Sequence, residues 1–222
     1  MRVEQLWRYP VKSIGGERVD AAAVGEFGIE GDRVIAVQDA KDEITWAGAV
    51  PGLMRVTAST VGPGVAALRL PDGSGVRTDA PQASARLSAA VGDPVRLVPH
   101  TPANGGAALH VLTTASLRAL GAALPDSVLD PTRFRPNVVL DVDADGCPEQ
   151  SWIGRRMALG DVVLRFTEPC DRCVMTTKET PTVPHDKAVL RWVAREYANA
   201  FGVYAAVETP GRLSVGDPAR LL

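Results

Sequence analysis

The sequence predicts a mainly β protein, twisted or barrel-like, with a few helices that cover the strands. First, 21 glycines and 17 prolines among 222 residues interrupt the chain at short intervals. Second, β-rich stretches bounded by Gly, Pro or Asp outnumber the stretches with helical periodicity. Third, 45% hydrophobic and 23% charged residues are ordinary for a folded globular protein, which excludes disordered and coiled-coil classes.

The predicted strands are short and rich in β-branched residues or alternate with a period of two. They are Arg2–Tyr9, Arg33–Gln38, Met54–Ser59, Val65–Leu70, Pro94–Val98, Leu109–Thr113, Asn137–Val142, Met157–Leu159 with Val162–Thr167, and Val203–Glu208.

Three segments are predicted to be helical: Gln82–Val91, Ala115–Ala123, and a longer helix that begins near Asp186. In the last of these, Val189, Val193 and Tyr197 follow the spacing of one helical face. His185 or Asp186 is a suitable N-cap for this helix.

The length allows one large domain or two small ones. A change of composition at Pro99–Gly106 predicts a connection, which divides the chain into an N-terminal domain of residues 1–98 and a second domain of residues 99–222. Both parts are small enough that each needs the other, so we expect a site between them.

The charge balance and hydropathy pattern argue against two classes of partner. A net charge of −2 offers no basic surface for nucleic acid. The longest uncharged stretch, Leu97–Leu117, contains prolines and glycines and does not predict a membrane span, so no membrane partner is expected. Early charges such as Arg2 and Glu4 leave no apolar core for a secretory signal, so we expect a cytoplasmic protein.

Two glycine-containing turns carry cationic side chains. The first, Tyr9–Gly16, follows a predicted strand, and Lys12 and Ser13 offer an ammonium and a hydroxyl that suit a phosphate. The second, Gly28–Arg33, places Arg33 where it could join Lys12 on the same anion. Taken alone, each segment is also explained as a plain turn or a solvated surface charge.

A third motif, Arg133–Asn137, places two arginines on either side of a phenylalanine. Planar guanidinium groups such as that of Arg135 suit phosphate or a polar heterocycle, and Asn137 offers both a donor and an acceptor. A salt bridge between domains explains the motif equally well.

The fourth motif is Cys170-x2-Cys173, the most informative in the chain. A zinc site needs further ligands, but only Cys147 and three scattered histidines remain. A thioredoxin-type pair should open a helix, whereas Val174–Thr177 is strand-like. Two readings stay open: a thiolate beside Arg172 that suits a soft transition metal, and a pair of half-buried structural thiols.

Taken in order, the motifs resemble those of the MOSC family, named for the C-terminal domain of molybdenum cofactor sulfurase, and they span almost the whole chain. They are Tyr9-Pro-Val-Lys-Ser13, Gly31-Asp-Arg33, His110-Val-Leu-Thr-Thr-Ala-Ser-Leu117, Arg133-Phe-Arg-Pro-Asn137, Trp152-Ile-Gly154, Cys170-x2-Cys-Val-Met-Thr-Thr177 and Gly211-x4-Gly-Asp-Pro218. The resemblance implies a mainly β fold with a few helices (α+β), in which a β-barrel MOSC domain follows a smaller β-rich N-terminal domain.

The resemblance also implies the site. In relatives such as the mitochondrial amidoxime-reducing components, the second cysteine of the motif ligates molybdenum, so Cys173 is the expected metal ligand and catalytic residue. The remaining expected contacts to a molybdopterin-type cofactor fall on Lys12, Ser13, Arg33, Thr113, Thr114, Ser116, Arg135, Asn137, Asp171 and Arg172.

The implied function is reduction of N-hydroxylated compounds such as hydroxylamines, amidoximes and N-hydroxylated bases. Because no iron–sulfur domain follows in the sequence up to Leu222, we expect a separate electron-donor protein of ferredoxin or flavin type. An alternative is a non-catalytic carrier of the cofactor, or of sulfur on Cys173.

Overall fold

The computed structural model describes residues 1–101 and 109–222, so most of the predicted connection at Pro99–Gly106 lies outside the described residues. The prediction of a mainly β protein with a few helices is confirmed. The strands are β1 (Arg2–Arg8), β2 (Glu17–Val19), β3 (Ala21–Gly25), β4 (Gly28–Ile29), β5 (Ile35–Gln38), β6 (Thr57–Gly62), β7 (Val65–Arg69), β8 (Gly75–Arg77), β9 (Arg96–Pro99), β10 (Leu109–Thr113), β11 (Val138–Asp141), β12 (Arg156–Leu159), β13 (Val162–Asp171), β14 (Ala200–Thr209), β15 (Gly211–Ser214) and β16 (Ala219–Leu221).

Three α-helices cover the sheets: α1 (Ala83–Val91), α2 (Thr114–Ala123) and α3 (Lys187–Glu196). All three were predicted from periodicity, and Asp186 caps α3 because its carboxylate accepts a hydrogen bond from the amide of Ala188 at 2.7 Å. Short 3₁₀ turns occupy Pro51–Arg55, Pro131–Arg133, Pro148–Trp152 and Val174–Thr177.

The largest sheet has eight strands in the order β16-β12-β13-β14-β10-β11-β1-β2. Its inward faces bury a core that includes Phe166, Leu164 and Val111. The amide of Val3, in β1, donates to the carbonyl of Asp217, just before β16, at 2.9 Å. An isolated bridge pairs Arg2 with Pro218, but β1 and β16 are not paired as strands. Among the described residues, the eight-stranded sheet is therefore not closed into a barrel.

Three smaller sheets complete the fold: β15-β3-β4, β5-β9 and β6-β7-β8. The last two enclose a second core with α1, built on side chains such as Leu53, Leu68 and Leu87. Strands β1 and β2 thus belong to the main sheet although they precede residue 98. The boundary between residues 98 and 99 stays a prediction.

Sequence-based expectations differ from the structure in several places. The predicted strand Met54–Ser59 starts too early, because Met54 and Arg55 lie in the 3₁₀ turn Pro51–Arg55. Val174–Thr177 forms a 3₁₀ turn rather than a strand, because the amide of Thr176 bonds back to the carbonyl of Cys173 at 3.0 Å. Several short strands, β3 and β15 among them, lie in alanine- and glycine-containing stretches that carry no strong β signal.

Within the described residues, no helix combines the length and the apolar character that crossing a membrane requires.

Candidate functional site

A cavity of about 330 Å³ lies where the loops of the N-terminal half meet the strands of the main sheet. It is lined by Lys12, Ser13, Arg33, Trp46, His110, Arg133, Phe134, Arg135, Cys170, Asp171, Arg172, Cys173, Met175 and Tyr204. Most of the predicted site residues therefore converge on one place. Among those predicted, the cavity lining includes Lys12, Ser13, Arg33, Arg135, Asp171, Arg172 and Cys173.

Three of these residues have left-handed backbone conformations that side chains other than glycine rarely adopt. The φ angles are 68° at Ser13, 54° at Arg33 and 57° at Arg135. Such conformations cost free energy and concentrate at functional sites. Three of the six non-glycine residues with positive φ in the described part of the chain therefore line the cavity.

Arg33 is held in the cavity by a buried carboxylate. Its guanidinium pairs with Asp32, which also accepts a hydrogen bond from the amide of Tyr9 at 2.7 Å, and it donates to Asn137 Oδ1 at 3.3 Å. Burial is the largest influence and works to lower the pKa of Arg33, but the charge and hydrogen bond of Asp32, together with the charge of Tyr9, outweigh it and raise the pKa. Arg33 therefore stays cationic.

Arg135 lies over the ring of Tyr9, with 4.3 Å between its Cζ and the ring centroid, and donates through Nη1 to the carbonyl of Ile14. Burial, together with the charge of Arg33, lowers the pKa of Arg135 to about 10. Its Nη2 is buried without a hydrogen-bond partner among the described residues. An anionic or polar ligand in the cavity would satisfy this donor.

Arg172 is the second guanidinium with unused capacity. It donates to the carbonyl of Phe134 and to Cys170 Sγ, both at 2.9 Å, while its Nε is buried without a partner among the described residues. A ligand that accepts hydrogen bonds from both Arg135 and Arg172 would suit this wall of the cavity.

The two cysteines of the motif have different environments. Cys170 lies in strand β13 and is only 1% exposed. Cys173 is exposed, at the start of the 3₁₀ turn. Among residues 1–101 and 109–222, no three His, Cys, Asp or Glu side chains form a group that could hold a metal ion by themselves. A metal at Cys173 therefore needs ligands from a cofactor.

The residues predicted in the His110–Leu117 motif lie elsewhere. Thr113 and Ser116 are fully buried at the start of α2 and donate to the carboxyl of Glu149 at 2.8 and 2.5 Å. Thr114 instead accepts from the amide of Val142 at 3.1 Å. These hydroxyls cap a helix and bind a buried acid, and none of them lines the cavity.

Asn137 also lies behind the cavity rather than on its surface. Its Oδ1 accepts from Arg33 and, at 3.2 Å, from the amide of His110, while its Nδ2 donates to the carbonyl of Trp7 at 3.3 Å. Asn137 therefore ties Arg33 to strands β1 and β10.

Buried Glu149 makes stability depend on pH. Burial raises the pKa of its carboxyl, against the opposing effect of the bonds from Ser116 and Thr113. The folded state therefore keeps a proton that the unfolded state releases above pH ~4.3, so the free energy of unfolding should fall as pH rises from there through the raised pKa. Urea titrations at several pH values should show this decline for the wild type and a smaller one for Glu149→Gln.

Residues that sequence reasoning missed include Asp32, His110 and Tyr204. Asp32 and His110 stand inside the motifs used to recognise the site, so the motifs contained the signal. Tyr204 carried no such signal, because its place beside His110 depends on the pairing of β10 with β14.

The cavity thus joins an exposed thiol to several cationic groups, and Asp171 is the one acidic residue among the described residues that line it. Thiolates are soft ligands for transition metals, and guanidinium and ammonium groups bind phosphate and polar heterocycles. The unpartnered donors of Arg135 and Arg172 are the sites such a ligand would fill. These residues fit a phosphorylated pterin that carries a soft metal.

Two family models match the chain. The model of the MOSC N-terminal beta barrel domain matches residues 1–95, and that of the MOSC domain matches residues 88–220.

Among curated proteins, mitochondrial amidoxime-reducing component 1 of Mus musculus is 34% identical over 128 residues, which cover 50% of this chain and 36% of the mouse protein. The Homo sapiens protein of the same name is 32% identical over 125 residues, with 50% and 36% covered. The matched segment thus spans only about a third of these relatives.

Solved structures share the fold at low sequence identity. The YuaD protein of Bacillus subtilis is similar with a TM-score of 0.57 at 14% identity, covering 99% of this chain and 94% of that one. YiiM of Escherichia coli gives a TM-score of 0.51 at 13% identity, covering 100% and 70%. With both family models matched in sequence order, this chain belongs to the MOSC family.

Proposed function

We propose that this chain is a molybdenum-cofactor oxidoreductase that reduces N-hydroxylated compounds, such as hydroxylamines, amidoximes and N-hydroxylated bases, to the N–H form. The observation that carries the proposal is the cavity, in which an exposed thiol shares a wall with two arginines, each with one buried nitrogen that has no hydrogen-bond partner among the described residues. The sequence similarity to amidoxime-reducing components supports the same reaction class.

Seven of the cavity residues have a proposed role toward the cofactor. Lys12, Ser13 and Arg33 would hold the phosphate, Arg135 and Arg172 would bind the pterin, and Asp171 would accept a hydrogen bond from it. Cys173 would ligate molybdenum, which supplies two-electron chemistry at an oxygen atom when bound. The proposal leaves out Thr113, Thr114 and Ser116 as direct contacts because their hydroxyls are already engaged.

The chain's own contribution is position and charge. Asp32 and Asn137 fix Arg33, and Tyr9 supports the guanidinium of Arg135 from below, so the cationic groups are oriented before any ligand arrives. The overall reaction converts R–NHOH, two protons and two electrons into R–NH₂ and water. We propose that the electrons come from a separate donor protein of ferredoxin or flavin type.

The exposure of Cys173 also favours a second candidate, a carrier that holds the cofactor, or sulfur as a persulfide, for other enzymes. Both functions need the same thiol and the same cations. Turnover separates them, since only the enzyme reduces substrate repeatedly.

The test is to express the full chain in a host that makes molybdenum cofactor, measure molybdenum and zinc per chain, and assay an amidoxime with a chemical reductant. We expect about one molybdenum per chain and repeated turnover. Bound molybdenum with no turnover would favour the carrier, and zinc in its place would overturn the proposal.

Lys12→Ala and Arg33→Ala should lower the amount of cofactor that the chain retains, with a smaller effect on the free energy of unfolding. Each change removes a cation from the proposed phosphate site. Molybdenum per chain after gel filtration should fall in both variants, with the larger fall at higher salt, which screens the remaining charges. Lys41→Ala, a change at an exposed lysine away from the cavity, is the matched control. Unchanged molybdenum content in both cavity variants would contradict the phosphate site.

A further inference from the structure

One wall of the cavity contains three side chains with exchangeable protons, contributed by three neighbouring strands. His110 of β10 pairs directly with Tyr204 of β14, and their ring centroids are 5.8 Å apart. Cys170 lies at the end of β13, the strand on the other side of β14. All three residues line the cavity. The binding roles proposed above use none of them.

Tyr204 is the member of this cluster that reaches the cavity surface. His110 and Cys170 are 3% and 1% exposed, whereas Tyr204 is partly exposed. A substrate in the cavity can therefore contact Tyr204 more readily than the other two side chains. This arrangement makes Tyr204 the group that can touch a reacting atom.

The imidazole of His110 occupies space that a side chain at position 202 would need. Gly202 has a φ of 81°, and a Cβ at this position would lie 2.3 Å from His110 Nε2. This nitrogen is buried without a hydrogen-bond partner among the described residues. Glycine at position 202 thus allows the ring to pack beside Tyr204.

Cys170 is placed to carry negative charge. Arg172 Nη1 lies 2.9 Å from its sulfur. Burial is the largest influence and works to raise the pKa of Cys170, but the neighbouring groups, chiefly the charges of His110 and Arg172, together outweigh it and hold the pKa below its ordinary value.

The pKa of Tyr204 is shifted in the opposite direction to that of Cys170. Burial and the charge of Cys170 raise the pKa of Tyr204, so its hydroxyl keeps its proton at working pH. Arg172 and Arg33 act against this and would stabilise the phenolate while the proton is away.

We propose that Tyr204 is the catalytic acid of the cavity, that Cys170 and His110 are positioning residues beside it in the wall, and that solvent returns its proton after each turnover. This inference rests on the proposed function. As the N–O bond of R–NHOH breaks, the tyrosine proton goes to the departing oxygen and a second proton from solvent completes the amine. The two electrons come from the separate donor protein, and water leaves.

The first test is Tyr204→Phe, which keeps the ring beside His110 and removes only the hydroxyl. With the cofactor-loaded protein, a chemical reductant and an amidoxime, we expect kcat to fall about 10²- to 10⁴-fold with molybdenum content unchanged. Tyr197→Phe, a change at the end of α3 outside the cavity, should retain wild-type kcat. A wild-type kcat in Tyr204→Phe would overturn the inference.

The second test needs neither cofactor nor turnover. In a Cys147→Ser/Cys173→Ser background, the ultraviolet absorbance of the thiolate titrates Cys170 alone. Adding Tyr204→Phe should raise the pKa of Cys170, because a neighbouring hydroxyl that favours the thiolate is lost. An unchanged pKa of Cys170 would overturn the proposed coupling between Cys170 and Tyr204, even if the enzyme is active.

The two tests separate this inference from the proposed function. A wild type that binds no molybdenum and shows no turnover refutes the proposed function and the role of Tyr204 as an acid, while the thiolate titration still decides whether the three side chains are coupled. If Tyr204→Phe fails to fold, Cys170→Ser is the second variant. It should keep molybdenum and lose part of kcat, and full kcat would overturn the inference.

Discussion

Cys173→Ser is expected to abolish both molybdenum binding and reduction of N-hydroxylated substrates. A serine hydroxyl is a harder and far less acidic ligand than a thiol, so it does not replace a thiolate on a soft metal. Because Cys173 is exposed, the change should shift the free energy of unfolding by no more than about 0.5 kcal/mol. Elemental analysis, an amidoxime assay and a urea titration of the same preparation measure the three quantities.

Cys170→Ser is the matched control for this experiment. Its position in the interior of the wall predicts retained molybdenum and a milder loss of activity. Equal loss of metal in both variants would contradict a single-thiol site and favour a paired site such as zinc or a disulfide.

Arg133→Leu should cause the largest loss of stability among the cavity residues. Arg133 is 1% exposed and donates to the carbonyls of Thr176 and Pro184 at 3.0 Å and of Val128 at 3.3 Å. Leucine would leave the buried carbonyl of Thr176 and two partly buried carbonyls without donors, which costs about 3 kcal/mol in total. Urea unfolding followed by circular dichroism measures the change.

The same contacts predict a loss of metal. Two of the three carbonyls belong to the segment that follows Cys173, so the variant should release the cofactor as this segment loosens. Arg212→Leu, at an exposed site on β15, should change stability by no more than about 0.5 kcal/mol. A variant of Arg133 as stable as the wild type would contradict a structural role for the three bonds.

Sequence reasoning succeeded where local chemistry decides the structure. β10 was predicted with the bounds Leu109–Thr113 because five consecutive residues favour a buried strand, and α3 because its apolar spacing starts at a capping aspartate. Lys12 and Arg33 were singled out because their types suit anions, and Cys173 because the resemblance to the MOSC family selects the second cysteine of the motif. The fold brings all three together.

Sequence reasoning was limited where residues far away in the sequence determine the contacts of a side chain. A hydroxyl such as that of Ser116, just after a strand, serves equally well as a ligand or as part of a helix cap, and only the position of Glu149 separates the two. The neighbours of Tyr204 were equally hidden, since alternation along β14 gives the face of a side chain but not the residue across from it.

The position of β1 has a consequence for how the chain reaches its native state. Residues Arg2–Arg8 are inserted between β11 and β2, and Val3 also bonds to Asp217 near the opposite end of the sequence. These contacts join segments that are more than a hundred residues apart, and forming them requires closure of long loops. We therefore expect slow folding that awaits synthesis of the last strands, and residues 99–222 alone would leave the edge of β11 open to association with other chains.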